Sequence, residues 1–291
     1  TKMNILTRYI IITTHLIYLN INAQEYSSPI DQKISLSGTF GELRTNHFHA
    51  GIDIRTGGVE GKNIYSIDEG YISRIKVSSW GYGKAIYINH PNGKTSVYAH
   101  LKQFSSKINQ IIKKIHYERE SYEIEYYPKK NKITINKGEL IGLSGNSGSS
   151  SGPHLHFEIR ETQSSQPINP LAFNFNIPDD IPPKLNKLKI YNMSAGKIID
   201  QQIFNINNNS INQDTLIIEN FAIGISTYDQ LNGSQNKNGV YSIRIFADNI
   251  LYYEFIADKL DFNTTRFINA HIDYGEITLD ACFIEFDLKT K

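Results

Sequence analysis

The run His154-Leu155-His156-Phe157-Glu158-Ile159-Arg160 alternates polar with apolar residues over its whole length. On a β-strand that alternation puts His154, His156, Glu158 and Arg160 on one face and Leu155, Phe157 and Ile159 on the other. Two imidazoles therefore point the same way. About a hundred residues earlier, His49-Ala50-Gly51-Ile52-Asp53-Ile54 sets a histidine and a carboxylate four apart. Ile52 and Ile54 alternate with Asp53, so this piece reads as an extended segment entering a second strand, with Gly51 allowing close backbone approach. Two imidazoles and one carboxylate leave a position open for water, the ligand set of catalytic rather than structural zinc.

Each fragment alone carries little. A His-x-His pair on a strand is more often a partly exposed polar face than a metal site, and a histidine four residues from an aspartate recurs by chance. What surrounds them shifts the balance. The stretch Tyr98-Ala99-His100-Leu101 brings a third histidine to the end of a strand. Residues 70–77 alternate as a strand, and 85–90, 91–93 and 95–100 read as strand, turn, strand. Residues 137–144 are another strand-like piece. The stretch that follows, Gly145-Asn146-Ser147-Gly148-Ser149-Ser150-Ser151-Gly152, is too poor in apolar groups to pack and must be a surface loop, which we read as a wall of a substrate groove. Between them, Phe104, Ile108, Ile111, Ile112 and Ile115 recur at helical spacing and predict an amphipathic helix over 105–118. Residues 122–135 then alternate like a hairpin around Pro128-Lys129-Lys130-Asn131.

The order His49-x-x-x-Asp53, Tyr98-x-His100, His154-x-His156 resembles the M23 family of zinc metallopeptidases, the lysostaphin and LytM type, over about residues 35–172. The resemblance implies one zinc ion on His49, Asp53 and His156, with His100 and His154 as the two unligated histidines that line the site and carry catalysis. It also implies peptides of bacterial peptidoglycan as substrate. All five positions are filled, which favours an enzyme over the family's non-catalytic cell-wall binders and amidase activators. The insertion between His100 and Lys137 departs from the compact lysostaphin-type pattern.

The chemistry follows from the groups themselves. Zinc held by three protein ligands lowers the pKa of a bound water from about 16 to roughly 7 and polarises a carbonyl. Two nearby histidines can then carry the proton from water to the leaving amine and hydrogen-bond the oxyanion. Which of His100 and His154 is the base is open at this level. His47 faces the same way as His49 on an extended segment, as a contact to ligand or substrate or as a plain polar neighbour. Arg44 suits a substrate carboxylate through its bidentate geometry. His90, His116 and His271 are read as surface or structural, and Trp80-Gly81-Tyr82-Gly83 as an aromatic turn near the groove.

The start of the chain, residues 1–24, places Lys2 and Arg8 before a short apolar run that ends in Asn22-Ala23-Gln24, the pattern of a secretory signal peptide. The run is short and interrupted against the roughly 20 residues of a membrane span, so an uncleaved anchor is the lesser reading, no span is expected after signal removal, and the expected location is the periplasm or the cell surface. Cys282 is the single cysteine and permits no internal disulfide. With 30 Lys and Arg against 29 Asp and Glu, spread along the chain, there is no electrostatic case for nucleic acid or an anionic membrane. The expected class is mainly β: an antiparallel peptidase domain over 25–175 with a small helical insertion. After the stiff linker Asp179-Asp180-Ile181-Pro182-Pro183, an immunoglobulin-like β-sandwich is expected over 184–291, incomplete at its end. Its strands are read at 188–191, 198–204, 215–218, 222–228, 240–247, 251–256 and 282–288. No chemical constellation appears there.

Overall fold

The computed structural model describes residues 26–207, 220–247, 249–273 and 283–288 of the 291-residue chain. The expected signal segment, the strand at 215–218 and Cys282 lie outside the described residues. Mainly antiparallel β-structure is observed. Its strands are β1 (Leu36–Gly38), β2 (Ile52–Arg55), β3 (Asn63–Tyr65), β4 (Gly70–Val77), β5 (Ala85–Asn89), β6 (Lys94–Ala99) and β7 (Gln103–Phe104), followed by helix α1 (Ser106–Arg119). The first half continues with β8 (Ile124–Tyr126), β9 (Thr134–Ile135), β10 (Leu140–Leu143), β11 (His154–Glu161) and β12 (Pro167–Ile168). The second half holds β13 (Lys184–Ser194), β14 (Lys197–Asn205), β15 (Phe221–Tyr228), β16 (Ser242–Ala247), β17 (Ile250–Ile256) and β18 (Phe283–Leu288).

A nine-stranded sheet runs β1-β2-β11-β6-β5-β4-β8, with β12 on β11 and β9 on β4. Period-two alternation decides its two faces. Ile52, Ile54, Ile86, Ile88, Tyr98, Leu155, Phe157 and Ile159 turn to one side and form one core with α1, through Ile108, Ile112 and Ile115. Each such side chain contributes roughly 1.5–3 kcal/mol by leaving water. On the opposite face stand Asp53, His154, His156, Glu158 and Arg160, beside a small apolar patch of Ala85, Tyr87, Val97 and Ala99. The pairing of β11 with β2 sets His156 against Asp53, and its pairing with β6 sets His156 against Ala99. Gly51 is required at the entry to β2, because a Cβ there would lie 2.4 Å from the carbonyl of Phe157.

One expectation is corrected. Residues 122–135 do not fold back as a hairpin: β8 and β9 both pair with β4, at Ile75–Val77 and at Gly70 and Tyr71. They are two parts of one edge strand, interrupted by an excursion in which Pro128 has no N–H to give and Asn131 takes a left-handed φ of 60°. The amide of Ile72 bonds the carbonyl of Ile133, closing the gap. Alternation alone cannot tell two strands from one strand with a loop in it.

In the second half, β14-β13-β15-β18 form an antiparallel sheet and β16-β17 a two-stranded ribbon, six described strands against the seven or more expected. Ile225, Val240 and Ile243 make a small core there, which Leu43 of the first half joins. Ala257 and Leu231 in turn belong to the core of the first half. Gly41 accepts this contact because it has no Cβ; one would lie 2.7 Å from that of Ala257. No helix of the described residues is long and apolar enough to cross a membrane.

Candidate active site

His49 lies just before β2 and is buried, as is His156 in β11. His49 Nε2, His156 Nδ1 and Asp53 Oδ1 converge: the two ring nitrogens are 3.1 Å apart and lie 3.1 and 2.9 Å from the carboxylate oxygen. Among the described residues this is the one group of three metal-ligating side chains so placed.

The outward nitrogens explain the orientation. His49 Nδ1 donates to the carbonyl of Thr39 at 2.8 Å, and His156 Nε2 donates to Glu158 Oε1 at 2.8 Å. Each bond fixes a ring and turns its other nitrogen inward as a lone pair. Asp53 Oδ2 accepts from Arg44 at 3.0 Å, which leaves Oδ1 for the cluster. Two lone pairs and a carboxylate oxygen thus face one another, an arrangement that needs a positive charge among them. A proton supplies one form of it: burial would lower the pKa of His156, but Asp53 and Glu158 overcome this and raise it to about 9. His49 is pushed down, by burial first. Burial would raise Asp53, yet the surrounding histidines hold it well below the usual carboxylate range. A zinc ion is the other form. Tetrahedral Zn–N bonds of 2.0–2.1 Å imply ligand atoms roughly 3.3 Å apart, near the separations present, so the donor set fits the metal; its binding would release the proton.

Behind His156 the polar groups are closed. Glu158 is fully buried and bonds Arg160 Nε at 2.6 Å; burial would raise its pKa, but Arg160 and then His156 hold it at about 2. The Tyr82 hydroxyl bonds the same carboxylate, and its ring stacks on His156 with centroids 5.2 Å apart. Arg160 continues outward over the rings of Tyr87 and Phe262.

The two remaining histidines of the predicted five flank the cluster. His100 comes one residue after β6, with a left-handed φ of 56°, a conformation that costs a non-glycine residue about 1 kcal/mol or more. Its ring is held by the Nδ1 bond to the carbonyl of Ser147 at 2.8 Å and lies 4.8 Å from that of His154, centroid to centroid. Burial, then the charge of His156, pushes its pKa down to about 4. His154 Nδ1 donates to the carbonyl of Gly152 at 2.8 Å, and Nε2 lies 3.4 Å from Asp53 Oδ1. Both holding carbonyls come from the glycine-serine loop. That loop is itself tied down: Ser149 N bonds Gly81 O, Gly81 N bonds Ser149 Oγ and Ser147 Oγ bonds Leu101 O. Gly83 and Gly148 pass so closely that a Cβ on either would sit 2.3–2.4 Å from the other strand.

Other sequence candidates fall elsewhere. His47 is exposed and bonded to Asn46; partial burial of its ring, then the charges of His49, Arg44 and His156, push its pKa down, and it makes no hydrogen bond to the cluster. Arg44 pairs with Glu42 and Asp53, so its charge serves a candidate ligand first. His90 is buried between the carbonyl of Glu69 and Ser96 Oγ, His116 bonds the carbonyl of Ser121, and His271 packs on Phe48 and Phe255. Trp80 is exposed, whereas its neighbour Tyr82 reaches His156. Alternation had already set Glu158 and Arg160 on the face of His156. Thr39 acts through a backbone carbonyl and leaves no mark in the sequence.

Residues 47–116 and 122–170 match the model of Peptidase family M23. The chain carries an M23 peptidase domain. This chain is 31% identical over 137 residues to the DD-carboxypeptidase/endopeptidase Mpg of Neisseria meningitidis serogroup B, covering 47% of this chain and 25% of that one. Against the peptidoglycan DD-endopeptidase ShyA of Vibrio cholerae the identity is 25% over 162 residues, 54% of this chain and 31% of that one. The match therefore spans about a quarter to a third of the length of these curated relatives. Among solved structures, the catalytic domain of the prophage-encoded M23 protein EnpA from Enterococcus faecalis aligns at 20% identity with a TM-score of 0.38, covering 51% of this chain and 98% of that one.

Proposed function

We propose that the chain is a zinc-dependent endopeptidase that hydrolyses peptide bonds of bacterial peptidoglycan outside the cytoplasm, with residues 25–175 as the catalytic domain. The observation that carries this reading is the convergence of His49 Nε2, Asp53 Oδ1 and His156 Nδ1 with His100 and His154 beside them. We assign the metal to His49, Asp53 and His156. Bound zinc supplies a Lewis acid and a more acidic water. His100, neutral with its Nδ1 proton on Ser147, offers Nε2 to accept the proton of the attacking water and to pass it to the leaving amine. His154, turned to the same space by Gly152, is the second group for the proton and the oxyanion. Thr39, Glu158 and Arg44 hold the three ligands in place. The substrate class is supported by the M23 domain and by relatives named as peptidoglycan or DD-endopeptidases.

The test is zinc content and digestion of purified peptidoglycan by the full chain, beside His156→Ala and His154→Ala. The reading expects about one zinc and released peptides from the wild type, loss of metal in the first variant, and retained metal without activity in the second. A wild type that holds zinc and releases nothing would favour the non-catalytic binder or amidase activator.

A further inference from the structure

We propose that Arg55 recognises a carboxylate carried by the peptide substrate on one of the residues next to the cleaved bond. This deepens the peptidase reading and rests on it. Arg55 closes β2 two residues after Asp53, on the same face, and is the cross-strand partner of His154. Two residues of strand advance roughly 7 Å, the length over which an extended peptide also advances two residues. A cleft of about 400 Å³ occupies this place, bounded by Arg44, Asp53, Arg55, Thr56, Ser151 and His154.

The two arginines of the cleft differ in what they have to offer. Arg44 is committed to Glu42 and Asp53. Arg55 has no carboxylate partner among the described residues; its Nε donates to the carbonyl of Leu36 at 3.3 Å and one Nη to the amide oxygen of Asn236. Both acceptors are neutral, so they orient the guanidinium without cancelling its charge. Of its five N–H donors two are used in this way, and the remaining ones suit a carboxylate. Asn236 comes from the second half of the chain and is itself tied to Leu36 O and Ser234 Oγ. The second half thereby sets the pose of a group in the groove. The wall of the cleft opposite is the glycine-serine loop, whose backbone and hydroxyls add no opposing charge.

The carboxylate can be the terminal one of a stem peptide or a side-chain one, and the experiment separates them. Peptides of one sequence, each with the terminal or the side-chain carboxylate free or amidated, are compared by kcat/KM on the full zinc-loaded chain and on Arg55→Gln. Zinc content and thermal midpoint are measured on both proteins. The expectation is a preference of roughly ten- to a hundredfold for one free acid over its amide, falling to near unity in Arg55→Gln with zinc content kept. Equal rates on acid and amide in the wild type, or an equal loss on both in the variant, would overturn the role of Arg55 and leave the peptidase reading standing. A zinc-loaded wild type that cleaves none of the peptides and no peptidoglycan would remove that reading, and this proposal with it.

Discussion

Both halves of the molecule bury a polar cluster, and the clusters are built differently. In the second half, Lys189 is almost fully buried in β13 and donates to Asp273 Oδ2 at 3.0 Å, with the Tyr191 hydroxyl on the same carboxylate. The protein supplies its own cation there. In the first half His49, Asp53 and His156 turn three acceptors toward one point, and the cation that pairs with Asp53, Arg44, sits on the outward oxygen Oδ2 rather than at that point. A buried charge needs a partner, or burial costs far more than the fold can bear. The comparison teaches that a cluster with a Lys at its centre is structural, while one whose centre is ringed by acceptors asks for a proton or a metal there. Neighbouring strands reinforce the contrast. In the large sheet β11 is buried on both faces, whereas β14 is exposed along almost its whole length.

The contrast breaks most sharply at His156. Replacing it with Ala should abolish zinc retention and turnover together, read by metal analysis and peptide release; a variant that keeps both would remove the ligand assignment. His154→Ala should keep the metal and lower kcat by about 10²–10⁴, so a variant with wild-type turnover would contradict the assigned role. In the other cluster, Lys189→Met should remove the buried ammonium from the part-buried Asp273 and cost up to about 3–5 kcal/mol in denaturant unfolding, with zinc stoichiometry unchanged. If zinc binding fell too, the two clusters would not be independent.

A smaller effect concerns His271, at the seam between the halves. Burial pushes its pKa down to about 4, below the unfolded value near 6.5. The folded state binds fewer protons there, so this share of stability is present above pH 6.5 and is lost as pH falls from 6.5 through about 4. It amounts to at most about 3 kcal/mol. Unfolding of wild type and His271→Phe at pH 7 and pH 4.5 measures it: the variant should lose less stability on acidification, and an equal loss would show that His271 titrates freely. Last, Glu158→Gln replaces the carboxylate that holds His156 Nε2 and should weaken zinc affinity ten- to a hundredfold; a competitive chelator titration that finds no change would place Glu158 outside the metal's support.

Much of the frame was legible because one sheet face packs against the core. Where one face of a strand meets an apolar core and the other meets polar groups, period-two alternation is forced, and 52–55 and 154–160 carry it plainly. The helix was legible for the corresponding reason, with Ile108, Ile112 and Ile115 on one stripe. The edge strand of β8 and β9 was misread because its partner, β4, lies some fifty residues away and alternation does not name partners. In the site, His49, Asp53, His100, His154 and His156 were legible as side-chain types at a spacing. Their supports were not. Thr39, Ser147 and Gly152 act through backbone carbonyls, Tyr82 reaches His156 only through the turn of Gly81 and Gly83, and Asn236 meets Arg55 across 181 positions of chain.

The central claim is that three inward lone pairs hold one metal ion. Diffraction data from crystals of the zinc-loaded full chain, collected on either side of the zinc absorption edge, test it directly. The account predicts one strong anomalous peak within bonding distance of His49 Nε2, Asp53 Oδ1 and His156 Nδ1. A zinc-loaded protein with no peak there, or with its peak on other residues, would contradict it.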